Sequence, residues 1–101
     1  MKRIINDKMY NTATATLVGE HQYLNFNDVD YESEELYLKK TGEWFLYGEG
    51  GPFSKYGEQC GSNNWCDGEV IKPLTKEAAR KWLENHDCTD AYIEYFGEPE
   101  E

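Results

Sequence analysis

Ser54, Lys55 and Tyr56 set a hydroxyl, an ammonium and a phenol at the end of the glycine-rich run GEWFLYGEGGPFSKYG, residues 42 to 57. Such a run invites two chemical readings, a phosphate cradle or a nucleophile's site. A phosphate cradle needs a Gly-Lys-Ser/Thr turn entering a helix, or a dinucleotide fingerprint after a strand, and neither is present. A nucleophile needs a base within hydrogen-bond reach that is itself oriented by a third group. Only His21 and His86 are available, and the linear sequence assembles no triad with either. Acids are so numerous that no general acid stands out. The chain therefore reads as a protein without catalytic residues, and an enzyme acting through Ser54, Lys55 and Tyr56 is the alternative. Gly48, Gly50, Gly51 and Pro52 read as structural loop residues. The glycines would permit backbone conformations closed to other residues, and the proline would fix the exit.

Two further clusters have chemical potential. Cys60, Cys66, His86 and Cys88 supply zinc-type ligands, but Cys-x5-Cys and His-x-Cys are not the usual spacings, and no metal or other cofactor is expected. The cysteines are odd in number, which rules out a full disulfide framework and makes reduced thiols the default in a cytosolic setting. The second cluster is the acidic run NDVDYESEE. If extended, it projects Asp28, Asp30, Glu32 and Glu34 from one face at intervals of roughly 6.6 to 6.8 Å, with Glu35 beside them. A basic cleft would meet such a row as it meets a line of phosphates. A solvated edge strand, whose charges discourage sheet aggregation, is the plainer reading. Calcium ligation is a third, although the spacing lacks the glycine and terminal glutamate of an EF-hand loop.

Charge favours a protein partner. Twenty Asp and Glu against ten Lys and Arg leave a net charge of -10. No Lys or Arg stands between Lys8 and Lys39, and none follows Asp87. This balance repels nucleic acid and anionic membranes and favours basic protein surfaces, so direct nucleic-acid binding is not expected. No apolar run approaches a membrane span, and the first residues, MKRIINDKMY, lack the pattern of a signal peptide, which points to the cytoplasm.

The elements that must carry these residues are legible in outline. At 101 residues the chain makes one domain, residues 1–101, with 97–101 as a frayed acidic tail. Its aromatic content, 15%, supplies core area despite low mean hydropathy. Residues 2–5 and 8–12 flank Asn6-Asp7 as a short hairpin. Thr12 to Leu24 reads as a strand bent near Gly19, or as a helical turn over Thr14 to Val18 followed by strand. The sharpest signal is a hairpin, Glu35 to Lys40 and Glu43 to Tyr47 around Thr41-Gly42. Its alternation sets Leu36, Leu38, Trp44 and Leu46 on one face and Tyr37, Phe45 and Tyr47 on the other. Gly48 to Gly68 reads as a long loop tied down by Phe53, Tyr56 and Trp65, returning to the sheet at EVIKPL. Thr75 caps a helix over Lys76 to His86, and Thr89 caps another over Asp90 to Phe96 that Gly97 stops. The fold class is α+β, a small antiparallel sheet of about 4–5 strands with a long Gly-rich loop and two C-terminal helices packed on it.

The strings KMYNTATATLVGE, EELYLKKTGEWFLYGEGGPFSKYGE and PLTKEAARKWLENHD…YIEYFGE resemble a set of small acidic proteins carried on Firmicute plasmids, prophages and integrative elements. The resemblance spans nearly the whole chain, with its signature at Tyr37, Lys40, Gly42, Phe45, Leu46, Gly48, Gly50, Gly51, Pro52 and Tyr56. Members with a role resemble anti-CRISPR inhibitors of the type II RNA-guided DNA nuclease. The resemblance implies an inhibitor of that nuclease and carries no residue-level mechanism with it. The net charge and the carboxylate row point to stoichiometric binding, either in a basic nucleic-acid-binding groove or by blocking guide loading, with Asp28, Asp30, Glu32, Glu34 and Glu35 as the electrostatic contacts. The alternatives are an enzyme that disables the nuclease or its guide, and an accessory protein of mobile elements that binds another basic protein.

Overall fold

A computed structural model describes residues 1–25 and 27–100. Ten elements follow one another: β1 (Lys2–Ile5), β2 (Lys8–Asn11), β3 (Thr16–Tyr23), β4 (Glu32–Leu38), β5 (Trp44–Gly50), β6 (Glu58–Gln59), β7 (Trp65–Cys66), β8 (Gly68–Leu74), α1 (Lys76–Asn85) and α2 (Thr89–Phe96). The central sheet is four-stranded and antiparallel in the order β3-β4-β5-β8, with β1-β2 and β6-β7 as separate two-stranded ribbons. The protein is α+β, with both helices at the C-terminal end.

Each turn has a local cause. Asn6 and Asp7 both adopt positive φ, as a two-residue hairpin turn requires and as these residue types tolerate. Gly42 sits at φ 92, and its N–H donates to the Lys39 carbonyl to close the β4-β5 hairpin. The β3-β4 register shifts between Leu17 and Gly19, so the bend expected near Gly19 is a bulge within one strand, and β3 does not begin with a helical turn. Thr75 caps α1, its Oγ1 accepting from the Ala78 N–H at 3.0 Å. The N-cap position of α2 is Cys88, one residue earlier than expected, and its side chain makes no capping bond.

Alternation on the central hairpin divides the core in two. Leu36, Trp44 and Leu46 face the helices, where Ala79, Trp82 and Leu83 meet them and Tyr95 and Phe96 pack on Trp44. Tyr37, Phe45 and Ile71 face the other way and are covered by Tyr10 of the β1-β2 ribbon, with Phe45 stacked on Tyr37 and edge-on to Tyr10.

The long loop departs from expectation. β5 runs to Gly50, so Gly48 and Gly50 are strand residues and the loop begins at Gly51. Of its three aromatics only Tyr56 is buried; Phe53 and Trp65 are 65% and 51% exposed. Among the described residues no helix is long and apolar enough to cross a membrane. Gly97 ends α2 at positive φ and 98–100 carry no regular structure; the last residue of the expected tail, Glu101, lies outside the described residues.

Candidate functional site

Glu34 follows the alternation that turns Leu36 and Leu38 toward the helices, and so its carboxylate enters the interior, only 6% exposed. The Tyr56 hydroxyl donates to Oε2 and the Trp82 indole N–H to Oε1, the latter at 3.1 Å. Lys55 Nζ lies 3.1 Å from Oε2, and His86 Nε2 lies 3.6 Å from Oε1. Burial alone would raise the Glu34 pKa, but Tyr56, Trp82 and Lys55 together outweigh it and hold the carboxyl below its ordinary value. Burial and the adjacent Glu34 push the Tyr56 phenol far above its ordinary range, so it stays protonated and donating.

His21, directly opposite Glu34 on β3, completes the cluster by stacking on His86 with ring centroids 4.2 Å apart. Burial and then the neighbouring His21 depress the His86 pKa, more than the Glu34 charge raises it. Six groups from four separate segments thus meet: His21, Glu34, Lys55 with Tyr56, and Trp82 with His86. Two signals pointed to this convergence, the parity that Glu34 shares with Leu36 and the place of His86 on the Trp82 stripe.

The cluster acts as a clamp. Ser54 Oγ donates to the Gly51 carbonyl at 2.8 Å and accepts the Tyr56 N–H at 3.1 Å, so it closes a turn rather than facing an imidazole. The Lys55 backbone N–H donates to Glu32 Oε2 at 3.1 Å while its ammonium reaches Glu34. Ser54 therefore shapes the turn itself, while Lys55 and Tyr56 fasten it to β4.

The glycines serve that fastening through space rather than through φ, which corrects the expectation for Gly48, Gly50 and Gly51. Among the described residues, positive φ at a glycine occurs only at Gly42 and Gly97. A Cβ on Gly48 would overlap the Tyr56 ring, one on Gly50 the Ser54 side chain, and one on Gly51 would come within 2.9 Å of the Val29 carbonyl carbon. Pro52 follows at the start of a tight turn, with Ser54 N–H donating to the Gly51 carbonyl at 3.1 Å.

The acidic row does not form as a line. Asp28 and Asp30 lie in a turn closed by the Tyr31 N–H to the Asp28 carbonyl, and Asp28 Oδ2 accepts the Asn25 N–H at 2.9 Å. β4 begins only at Glu32, Glu34 is buried, and Glu35 points to the opposite face. A different acidic surface arises across the strands. Glu20 is paired directly with Glu35, and Glu49 directly with Glu69, all on the sheet face that Tyr37 and Phe45 share, with Glu20 and Glu69 exposed and Glu35 and Glu49 half-buried. The Tyr47 hydroxyl lies 2.9 Å from Glu49 and 2.7 Å from Glu69, and the Tyr37 hydroxyl donates to Glu35 at 2.9 Å. Burial, then the Glu35 carboxylate, pushes the Tyr37 phenol up to about 12. Beside this face, Glu49, Glu58, Asp67 and Glu69 line a shallow cleft together with Tyr31 and Arg3.

Cys60 and Cys66 form a disulfide across the β6-β7 ribbon, contrary to the reduced thiols expected. Two of the four zinc-type ligands are thereby consumed. Cys88 is the free thiol, with Sγ 3.7 Å from the His86 carbonyl, and burial raises its pKa. No group of His, Cys, Asp and Glu among the described residues is arranged to hold a metal ion.

No family model, curated protein or solved structure matches this chain.

Proposed function

We propose that the protein is a stoichiometric inhibitor of a type II RNA-guided DNA nuclease, an anti-CRISPR protein whose acidic surface occupies a basic nucleic-acid-binding groove or obstructs guide loading. The observation that carries this reading is the pair of like-charge oppositions, Glu20 with Glu35 and Glu49 with Glu69, on the sheet face turned away from the helices. Directly opposed like charges destabilise a sheet, and the Tyr37 and Tyr47 hydroxyls offset that only in part, since each has a single proton to give to the carboxylates beside it. A basic partner would offset the rest. An effector's channel for its guide-target heteroduplex is lined with Lys and Arg that hold a phosphate backbone, and carboxylates spaced across a sheet answer that lining. With a net charge of -10 the encounter would be fast at low salt and slow at high salt.

Asp28, Asp30, Glu32 and Glu35 remain contacts in this reading, Glu20, Glu49 and Glu69 join them, and Glu34 leaves the set because it is buried. The test is a titration against target-DNA cleavage, with the protein added before guide loading in one arm and after it in the other. Saturation near one equivalent is expected. Inhibition of many equivalents by one protein molecule would replace the binder with an enzyme, and no inhibition across several effectors would remove the reading.

A further inference from the structure

Two turns at one end of the sheet are fastened back to back. The Phe53 N–H donates to the Val29 carbonyl at 2.9 Å and the Gly51 N–H to the Tyr31 carbonyl at 2.9 Å, extending the β4-β5 ladder past the strand ends. Each turn is also closed internally, by Tyr31 N–H to the Asp28 carbonyl and by Ser54 N–H to the Gly51 carbonyl. Gly51 is what lets the two backbones come this close, since a Cβ there would press on the Val29 carbonyl and lie 3.1 Å from the Asp28 oxygen. Below them the Tyr56 to Glu34 bond holds the second turn to the sheet.

All this order ends in two apolar side chains turned to water. Phe53 is 65% exposed and Val29 52% exposed, flanked by the exposed Asp28 and Asp30. An exposed loop tip is ordinarily small, polar and variable in conformation. Here a phenylalanine is presented by a backbone that cannot easily withdraw it. An aromatic anchor with a charged rim, ordered before binding, is the anatomy of an interface centre.

We infer that the Phe53-Val29 tip is a docking anchor that enters an apolar pocket bordered by Lys or Arg on the partner protein. Charge selects that partner. The chain holds no cation between Lys8 and Lys39, the segment that supplies Asp28, Val29 and Asp30, and Lys55, two residues after Phe53, has its ammonium on Glu34, so the rim fits a basic protein surface and opposes a phosphate backbone. The inference rests on the inhibitor reading above and adds to it where the contact is centred and what pocket the effector must offer.

The experiment measures binding of the full chain to a purified, guide-loaded type II effector by biolayer interferometry, for the wild type, Phe53→Ser, Phe53→Ser with Val29→Ser, Phe53→Leu, and Ile4→Ser as a control. Ile4 is 68% exposed on β1, so its change tests mere loss of surface apolarity. The double variant is expected to bind about tenfold or more weakly, chiefly through faster dissociation, while Phe53→Leu and Ile4→Ser stay near the wild type and all variants melt together. Wild-type binding with a double variant within about twofold of it would overturn the anchor and leave the inhibitor reading standing. A wild type that binds no effector would overturn the inhibitor reading, and the anchor with it. Binding to single-stranded DNA that Phe53→Ser abolishes would overturn the assignment to a protein pocket.

Discussion

The Tyr56 hydroxyl donates to the Glu34 carboxylate across 22 positions of sequence, and the Trp82 indole donates to the same carboxylate from 48 positions away. One buried charge thereby joins the sheet, the glycine-rich loop and the first helix. A buried carboxylate is costly unless fully hydrogen-bonded, so its partners are more valuable than the net worth of each bond suggests.

Tyr56→Phe removes a donor while keeping the ring. It is expected to lower the unfolding free energy by about 1–3 kcal/mol, since the carboxylate loses a buried partner. Chemical denaturation compared with Tyr47→Phe, whose hydroxyl serves partly exposed acids, checks it. Equal losses in the two variants would show that burial of Glu34 does not matter.

Gly48→Ala should destabilise by about 1–3 kcal/mol because the new methyl meets the Tyr56 ring. In a Tyr56→Ala background the same change should cost much less, since the obstructing ring is gone. Gly42→Ala offers the contrast. Nothing lies near a Cβ at Gly42, so its cost of about 1 kcal/mol comes from the positive φ and should be the same in both backgrounds.

Acid should weaken the fold in two stages. The His86 pKa is depressed below its ordinary 6.5 by burial and by His21, with Lys55 adding to the effect and Glu34 and Asp87 opposing it. Below pH 6.5 the unfolded chain therefore binds more protons than the folded one, and stability present above that value is lost as pH falls. The Glu34 carboxyl is likewise depressed below its ordinary 4.5, so a further loss follows below that pH. Melting temperatures from pH 8 down to about pH 2.5 should show both declines, and His86→Gln should flatten the first while leaving the second.

Relieving the like-charge pairs should separate stability from function. Glu49→Gln and Glu20→Gln are each expected to raise stability by about 0.2–1 kcal/mol while weakening effector binding. Paired melting and binding measurements decide. A variant that gains stability with no loss of affinity would leave the acidic face without a role in binding.

Reduction of the Cys60–Cys66 disulfide should act locally. The bond spans six positions, a short loop whose closure is worth about 2 kcal/mol in the chain-entropy picture. Hydrogen exchange with and without reductant should show faster exchange in β6 and β7 and little change in β4 and β5. Loss of protection throughout the central sheet would mean that the ribbon supports the core.

Much of the architecture was legible because its causes are local. Alternation over residues 36–47 assigned Leu36, Trp44 and Leu46 to one core and Tyr37 and Phe45 to the other, and the covering layers follow that assignment. Thr75 and Gly97 marked helix limits through capping chemistry that needs only near neighbours. The same parity rule also turned Glu34 inward, but reading the acids as one extended surface row obscured it.

Composition by itself determined an acidic, aromatic-rich chain, and the periodicity of its residues determined the hairpin and the helices. Tertiary structure alone decided which acids lie inside and which stand opposed across strands, because strand pairing brings together residues such as Glu49 and Glu69 that no local pattern links. It also decided why Gly48, Gly50 and Gly51 are glycines. Their constraint is the nearness of Tyr56, Ser54 and Val29, a matter of volume excluded between distant segments, which a linear sequence does not contain.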